Sequence, residues 1–316
     1  MTAVAEGTRE RVRWGAVALY AVLALGLAWL VALPLWLSGE GLASPAALYV
    51  LPAMMATPAI AAVVTAAVSR VPSSDRVRFL GLWPLRPVGR VVGLAIVGLV
   101  APMLVVALTT ALAAALGLVR LDLVGFSGLV ERLEAATPAG TVLPPPGVLV
   151  VAQLAALPLG ALVNSVLAAG EEIGWRGWLL PVLRPLGTWP ALLVSGAVWG
   201  VWHAPVILLG YNFGRPDLVG VALMTAGCIA WGVLFGWLRL RSGSVWPAVL
   251  AHGSLNAVAG LVFVLVAAGE TPDLGLVGPL GVVSWAVLAV VVIVLVLAGQ
   301  LRRQPPLGVR GARSAP

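Results

Sequence analysis

The sequence has little charge, almost no cysteine and very few groups that can transfer protons. Only 10% of its 316 residues are charged, and the mean hydropathy is +1.06. So small a polar fraction could not cover the surface of a soluble protein of this length. The single cysteine, Cys228, excludes an intrachain disulfide and a cysteine-rich metal site. Because Cys228 lies in an apolar run, we interpret it as a packing residue.

Lysine is absent, so arginine supplies all 19 basic residues. The arginines lie mainly in short loops and near the ends of the chain, a distribution that indicates membrane topology and contact with lipid headgroups. It argues against nucleic acid as a partner. The sequence also lacks the G-x-S-x-G, H-E-x-x-H, P-loop and dinucleotide-binding motifs, so none of those sites is indicated.

Apolar runs of about 20 residues recur throughout the chain, which is the pattern of membrane-spanning helices. We therefore predict an all-α, multi-pass integral membrane protein with about eight transmembrane helices. The helices form one domain, 14–301, between a cytoplasmic segment, 1–13, and a basic disordered tail, 302–316. The spans are predicted at 14–37, 44–69, 88–119, 148–183, 189–209, 218–240, 245–267 and 277–301.

The segment 120–146 differs from the apolar runs around it in its mixture of apolar and charged residues. Apolar residues recur at helical spacing from Leu129 to Ala136, opposite the charged side chains of Glu131 and Arg132. Ser127 is predicted to be the N-cap of this helix. Two alternatives remain open, a helix that lies in the membrane interface and a solvated loop helix.

Arginine is distributed unequally between the two sides that eight spans define. Sixteen of the 19 arginines fall in segments on the side of the chain termini, whereas Arg120, Arg132 and Arg215 fall on the other side. Positively charged loops of membrane proteins are mostly cytoplasmic. We therefore predict a protein of the cell membrane with both termini in the cytoplasm.

The fourth apolar run ends in two adjacent carboxylates and an arginine. Ionisable groups inside a membrane span cost about 2.5–3.5 kcal/mol each on insertion scales and are therefore functional candidates. Glu172 and Arg176 are four residues apart and share a helix face, whereas Glu171 is turned by about 100° from Glu172. Glu172 is thus predicted to neutralise Arg176 and leave Glu171 free. The alternative is a purely structural charge cluster.

The only two histidines follow in later apolar runs. His203 shares a helix face with Trp199, and it lies as far after the turn near Gly187 as Glu171 lies before it. In an antiparallel hairpin, equal distances from the turn give similar depth, so these groups can face each other. His252 shares a face with Asn256 in the same way. The alternatives are a satisfied core histidine and a polar clamp between helices.

A carboxylate beside a histidine can activate water as a general base, and donors on a facing helix can stabilise an oxyanion. Water-mediated peptide hydrolysis is the simplest reaction that these groups support. Four glycines at small-xxx-small spacing are interpreted as helix-packing residues instead. They are Gly196, Gly200, Gly232 and Gly236.

The ordered motifs Glu171-Glu172-x-x-x-Arg176, Trp199-x-x-x-His203 and His252-x-x-x-Asn256 resemble those of the CPBP family. This family comprises type II CAAX prenyl proteases, bacteriocin-processing relatives and lysostaphin-resistance-like proteins, and the resemblance covers residues 150–260. It implies an intramembrane endopeptidase in which Glu171 activates water and His203 assists it. His252 and Asn256 would form the oxyanion hole, supported by Glu172, Arg176 and Trp199.

The resemblance leaves the cofactor and part of the pocket open. Phenylalanine is usual at the start of the second motif, so Trp199 departs from the pattern and changes the predicted shape of the pocket. We expect no metal or other cofactor, because a water-activating glutamate needs none. Zinc is the alternative, with Glu171, His203 and His252 as its ligands.

Two classes of function compete with the protease. One is a proton-coupled multi-pass transporter, which also gathers Glu, Arg and His inside the membrane, although no internal repeat supports it. The other is an immunity or scaffold protein that keeps the fold without turnover. The expected partners of the protease are membrane lipids and a membrane-associated peptide or protein substrate.

Overall fold

The computed structural model describes residues 11–302, which form a bundle of helices. This range contains no β-strand and only one isolated antiparallel bridge, between Leu121 and Val266. The all-α, multi-pass fold predicted from the sequence is confirmed. Residues 1–10 and 303–316, which include most of the predicted N-terminal segment and nearly all of the predicted tail, lie outside the described part of the chain.

The first half of the described chain contains α1 (Trp14–Leu37), α2 (Ala47–Ser69), α3 (Arg76–Phe79), α4 (Val88–Ala115), α5 (Ser127–Ala136) and α6 (Pro146–Glu172). A π-helical segment, Ile173–Leu179, continues α6 without a break. The second half contains α7 (Leu180–Leu183), α8 (Thr188–Trp202), α9 (Ala204–Ile207), α10 (Leu218–Ser242), α11 (Trp246–Val258), α12 (Leu261–Leu265), α13 (Leu274–Val277) and α14 (Val282–Leu297).

Within residues 11–302, seven helices are long and apolar enough to cross a membrane. The fifth predicted span, 189–209, is not among them, because it is divided at His203 into the 15-residue helix α8 and the short helix α9. Pro205 contributes to the division, because proline has no N–H to donate to the carbonyl four residues earlier. The N–H of His203 donates a hydrogen bond to the carbonyl of Gly200, three residues earlier.

The long fourth span departs from regular α-helix directly after the two glutamates. The π-helical segment packs against α1 and α2, and Gly174 lies at this contact. A Cβ at Gly174 would come within 2.5 Å of Pro58 Cβ and 2.6 Å of the Tyr20 hydroxyl. Glycine thus permits a close approach at a widened turn, a feature that is frequent at functional sites.

The last two predicted spans also differ from continuous helices. The span 245–267 is divided at Gly260 between α11 and α12. The span 277–301 consists of α13, which begins earlier than predicted, and α14, which ends at Leu297. These breaks lie at the end of the bundle at which α11 finishes, and residues beside them line the cavity described below.

Glycines bring the helices that carry the site into close contact. The helix α8 packs against α10, and α11 packs against both α4 and α6. A Cβ at Gly200 would overlap with the backbone of Thr225 in α10, and a Cβ at Gly232 would lie 3.3 Å from Gly196 Cα. The packing role predicted for these glycines is confirmed, since small residues let membrane helices approach at the backbone.

The two ends of the bundle are each held by their own hydrogen bonds. At the end where α2 finishes and α4 begins, Arg239 donates to the carbonyl of Phe79, and Trp246 Nε1 donates to the carbonyl of Leu82. At the opposite end, Arg120 forms a 2.6 Å ion pair with Glu270. The first end contains most of the arginines described, and we call it the arginine-rich end.

The prediction that Ser127 caps α5 is wrong. Ser127 is the first helical residue, and its hydroxyl accepts a hydrogen bond from the backbone N–H of Ala268. The oxygen atoms of Asp122 instead accept from the preceding loop and from the start of the helix. Hydrogen bonds from the Ser127 hydroxyl and from nearby backbone N–H groups hold the pKa of Asp122 well below its usual range.

Candidate active site

A cavity of about 510 Å³ lies inside the bundle and brings together the four residues predicted to be catalytic, whereas Glu172 and Arg176 are not part of its lining. Its lining includes Glu171 from α6, Trp199 from α8, His203 from the break after α8, and both His252 and Asn256 from α11. Three separate apolar runs of the sequence therefore supply one polar site. The two histidines are buried, whereas Asn256 is exposed.

Glu171 lies at the cavity wall with both carboxylate oxygens placed near other site residues. Its side chain is 2% exposed. Trp199 Nε1 donates a hydrogen bond of 2.6 Å to Oε2, and His252 Nε2 lies 4.0 Å from Oε1. The bond from Trp199 links the two arms of the hairpin that turns near Gly187.

Glu172 faces away from this carboxylate and is fully buried. Its Oε1 accepts from Arg176 Nη1 at 2.8 Å, the pairing expected from their spacing, and also lies 2.9 Å from His252 Nδ1. The guanidinium of Arg176 lies over the rings of Trp199 and Phe235, at 4.3 and 5.3 Å from their centroids. One buried oxygen of Glu172 thus accepts from two donor groups, and these contacts offset part of the free-energy cost of burying the carboxylate charge.

His203 is held by the carbonyl of the residue one turn before it. Its Nδ1 lies 3.0 Å from the Trp199 carbonyl oxygen, which can only accept a hydrogen bond, so this nitrogen carries the hydrogen. In the neutral ring the lone pair is then on Nε2. Cys228 Sγ lies 4.0 Å from the same Nδ1 and is fully buried, in agreement with its predicted packing role.

Comparison with known proteins places part of this chain in a family. The family model described as type II CAAX prenyl endopeptidase Rce1-like matches residues 152–258, the region that carries all three motifs. The chain carries an Rce1-like domain. The search of curated proteins found no match to this chain. At the level of the family, the match supports an intramembrane protease of the CAAX type that acts on a peptide in a membrane environment.

The Rce1-like domain also contains polar residues that the sequence reasoning missed. Asn164 lines the cavity two turns before Glu171, and its Nδ2 donates to the carbonyl of Gly160. Trp202 lines the cavity as well, and its Nε1 donates to the hydroxyl of Thr57. An asparagine inside an apolar span is a candidate site residue, but the sequence alone did not indicate which face of the helix Asn164 occupies.

The suitability of the Rce1-like site for zinc can be judged from the donor groups. Among residues 11–302, no three side chains of His, Cys, Asp or Glu are grouped closely enough to hold one metal ion. Glu171, His203 and His252, the ligand set considered above, therefore do not form a metal site in this arrangement. The histidine Nδ1 atoms are both occupied, by the Trp199 carbonyl and by Glu172.

Proposed function

We propose that this chain is an intramembrane endopeptidase of the glutamic type, in which Glu171 activates the water that cleaves a peptide bond. The observation that carries this proposal is the shared cavity, because a carboxylate, two imidazoles and an amide meet there inside a membrane-spanning bundle. A low-dielectric site of this kind strengthens both general-base and oxyanion interactions.

The reaction begins with water bound between Glu171 and His203. Trp199 already donates to Glu171 Oε2, which leaves Oε1 as the oxygen that accepts a proton from water. The lone pair on His203 Nε2 assists by accepting a hydrogen bond from the same water. The water oxygen attacks the scissile carbonyl carbon, and the proton held by Glu171 then passes to the leaving nitrogen as the C–N bond breaks.

His252 and Asn256 are the proposed donors to the oxyanion of the tetrahedral intermediate. They lie one turn apart on α11 and line the same cavity as Glu171. His252 Nδ1 faces Glu172 Oε1, an oxygen that also accepts from Arg176, so Nδ1 is the donor in that contact. A second donor at His252 Nε2 therefore requires the doubly protonated ring, and the Asn256 amide supplies the other hydrogen bond.

The proposed chemistry uses no metal ion, because Glu171 supplies the base and the two donors on α11 stabilise the oxyanion. We therefore expect chelators to leave peptide cleavage unchanged, and metal analysis of the purified protein to find no stoichiometric zinc. Loss of activity on chelation, followed by its recovery with zinc, would replace the glutamic mechanism by a metal-dependent one.

The Glu171→Gln variant tests the proposed function directly. Glutamine keeps the size and hydrogen bonding of the side chain but removes the base, so turnover should fall to background. Purified wild type and variant are compared in detergent on a library of apolar fluorogenic peptides, and their melting temperatures are measured on the same samples. Endogenous substrates follow from comparing the membrane proteomes of cells that produce either form. A fully active Glu171→Gln protein would end the glutamic-protease interpretation.

A further inference from the structure

We propose that substrate reaches Glu171 only from the end of the bundle opposite to the arginine-rich end, which is the non-cytoplasmic side of the membrane. The substrates are then apolar peptide segments that begin or end on that side of the membrane. This inference rests on the proposed peptidase function but concerns where and on what it acts.

The cavity extends from the catalytic residues towards one end of the bundle. Each helix that lines it contributes the part that lies between the site and that end. The helices α2 and α10 contribute residues of their N-terminal halves, namely Leu51, Pro52, Met54 and Met55 from α2 and Met224 from α10. The helix α11 contributes residues beyond His252, and the lining continues through Gly260 and Phe263 to the start of α13. The loop 211–213 and the residues before α14 complete this half of the wall.

Beyond Glu171, towards the arginine-rich end, four large side chains fill the bundle. They are Trp175, Arg176, Trp178 and Arg239, which we call the closing layer. Each is at most 1% exposed.

Hydrogen bonds fix the closing layer to the loops of the arginine-rich end. Arg239 Nε donates to the carbonyl of Arg176, and its Nη2 donates to the carbonyl of Phe79. Trp178 Nε1 donates to the carbonyl of Val71. The layer is therefore held together internally and fixed to the loops on its arginine-rich side, so a peptide could reach Glu171 from this side only if several buried contacts were broken together.

The charge distribution identifies which side of the membrane each end faces. The loop between α2 and α4 alone contains Arg70, Arg76, Arg78 and Arg86, and the end that the cavity approaches contains only Arg120, Arg132 and Arg215. The arginine-rich end is thus the cytoplasmic one by the positive-inside rule. The cavity, which lies on the other side of the closing layer, faces away from the cytoplasm.

The lining of the cavity restricts the chemistry of the substrate. The walls around the catalytic groups are apolar, with Leu51, Met54, Met55, Leu255 and Phe263 among them. Glu171 is the only carboxylate in the lining, and no arginine is part of it. A charged side chain of a substrate would find no spare counter-charge there, whereas an apolar segment would bury its side chains against these walls.

Cysteine labelling from one side of the membrane tests the access route. Gly260 lies in the cavity lining, is exposed, and has no atom within 4 Å of an added Cβ, so Gly260→Cys should fold normally. The matched control is Arg78→Cys, an exposed position at the arginine-rich end. The native Cys228 is fully buried and gives a low background. Intact cells and inverted membrane vesicles are each treated with a bulky, membrane-impermeant maleimide.

We expect Gly260→Cys to react in intact cells and Arg78→Cys to react only in inverted vesicles. After labelling and purification, cleavage of the fluorogenic peptides should fall to the Glu171→Gln level for Gly260→Cys and stay at the unlabelled level for Arg78→Cys. Labelling with the opposite sidedness, or a labelled Gly260→Cys protein that cleaves normally, would overturn the access route. A wild-type protein without peptidase activity would instead refute the proposed function, while the labelling would still decide the side that the cavity faces.

Discussion

The hydrogen bond from Trp199 to Glu171 gives the sharpest test of how the site works. In Trp199→Phe the aromatic ring over Arg176 remains, but the indole N–H that holds Glu171 Oε2 at 2.6 Å is lost. A hydrogen bond to a charged group contributes about 1.5–3 kcal/mol. If this bond orients the carboxylate for catalysis, its loss should lower kcat/KM by about 10–100-fold, since each 1.36 kcal/mol is tenfold in rate.

Trp202 provides a matched control on the same helix. It is buried to the same extent as Trp199 and lines the same cavity, but its Nε1 donates to the Thr57 hydroxyl and not to Glu171. Trp202→Phe therefore loses similar volume and one neutral hydrogen bond without touching the base. Peptide cleavage and melting temperature are measured for both variants. Equal activity losses in the two, or wild-type activity in Trp199→Phe, would refute the orienting role.

Three further variants separate stability from catalysis. Glu172→Gln leaves its buried partners without a counter-charge, which costs about 3–5 kcal/mol of stability, so both expression and melting temperature should fall. Glu171→Gln should melt close to wild type. Equal melting temperatures of the two variants would contradict the ion-pair assignment. Gly200→Ala places a Cβ into the backbone of α10 and should cost about 1–3 kcal/mol of stability, whereas Gly93→Ala, with open space around it, should not lower the melting temperature. Asn256→Ala should lower the cleavage rate by about 10²–10³ with little change in melting, and an unchanged rate would remove it from the oxyanion hole.

Much of the fold follows from the lengths of the apolar runs. The helix α1, Trp14–Leu37, coincides with its predicted span, because a continuous run of 24 residues without a charged side chain has few alternatives in a bilayer. The predicted continuity failed where local chemistry interrupts a helix. The break at His203 could have been predicted from Pro205. The π-helical segment after Glu172 could not, because it depends on how closely α1 and α2 approach it.

The depth of the site residues in the membrane could be predicted from the sequence, but the contacts between their side chains could not. The equal distances of Glu171 and His203 from the hairpin turn are a property of the sequence, and the two residues do line one cavity. Both Arg176 and His252 contact Glu172 Oε1, and the contact with His252 depends on how α11 is rotated against α6. That rotation cannot be predicted from the spacing of residues in the sequence. For the same reason Trp199, expected only to alter the shape of the pocket, was not recognised as a hydrogen-bond donor to Glu171.

The closing layer also determines how well the protein insulates the two compartments. The cavity removes apolar material from one half of the bundle, so the barrier to ions is thinner here than in the surrounding bilayer. When water fills the cavity, the membrane potential, about 2.3 kcal/mol per elementary charge for each 100 mV, falls mainly across the closing layer. Trp178, fully buried there, is part of the electrical seal. Opening the layer would therefore leak protons and dissipate the potential, a harm to the cell that is independent of any peptide being cleaved.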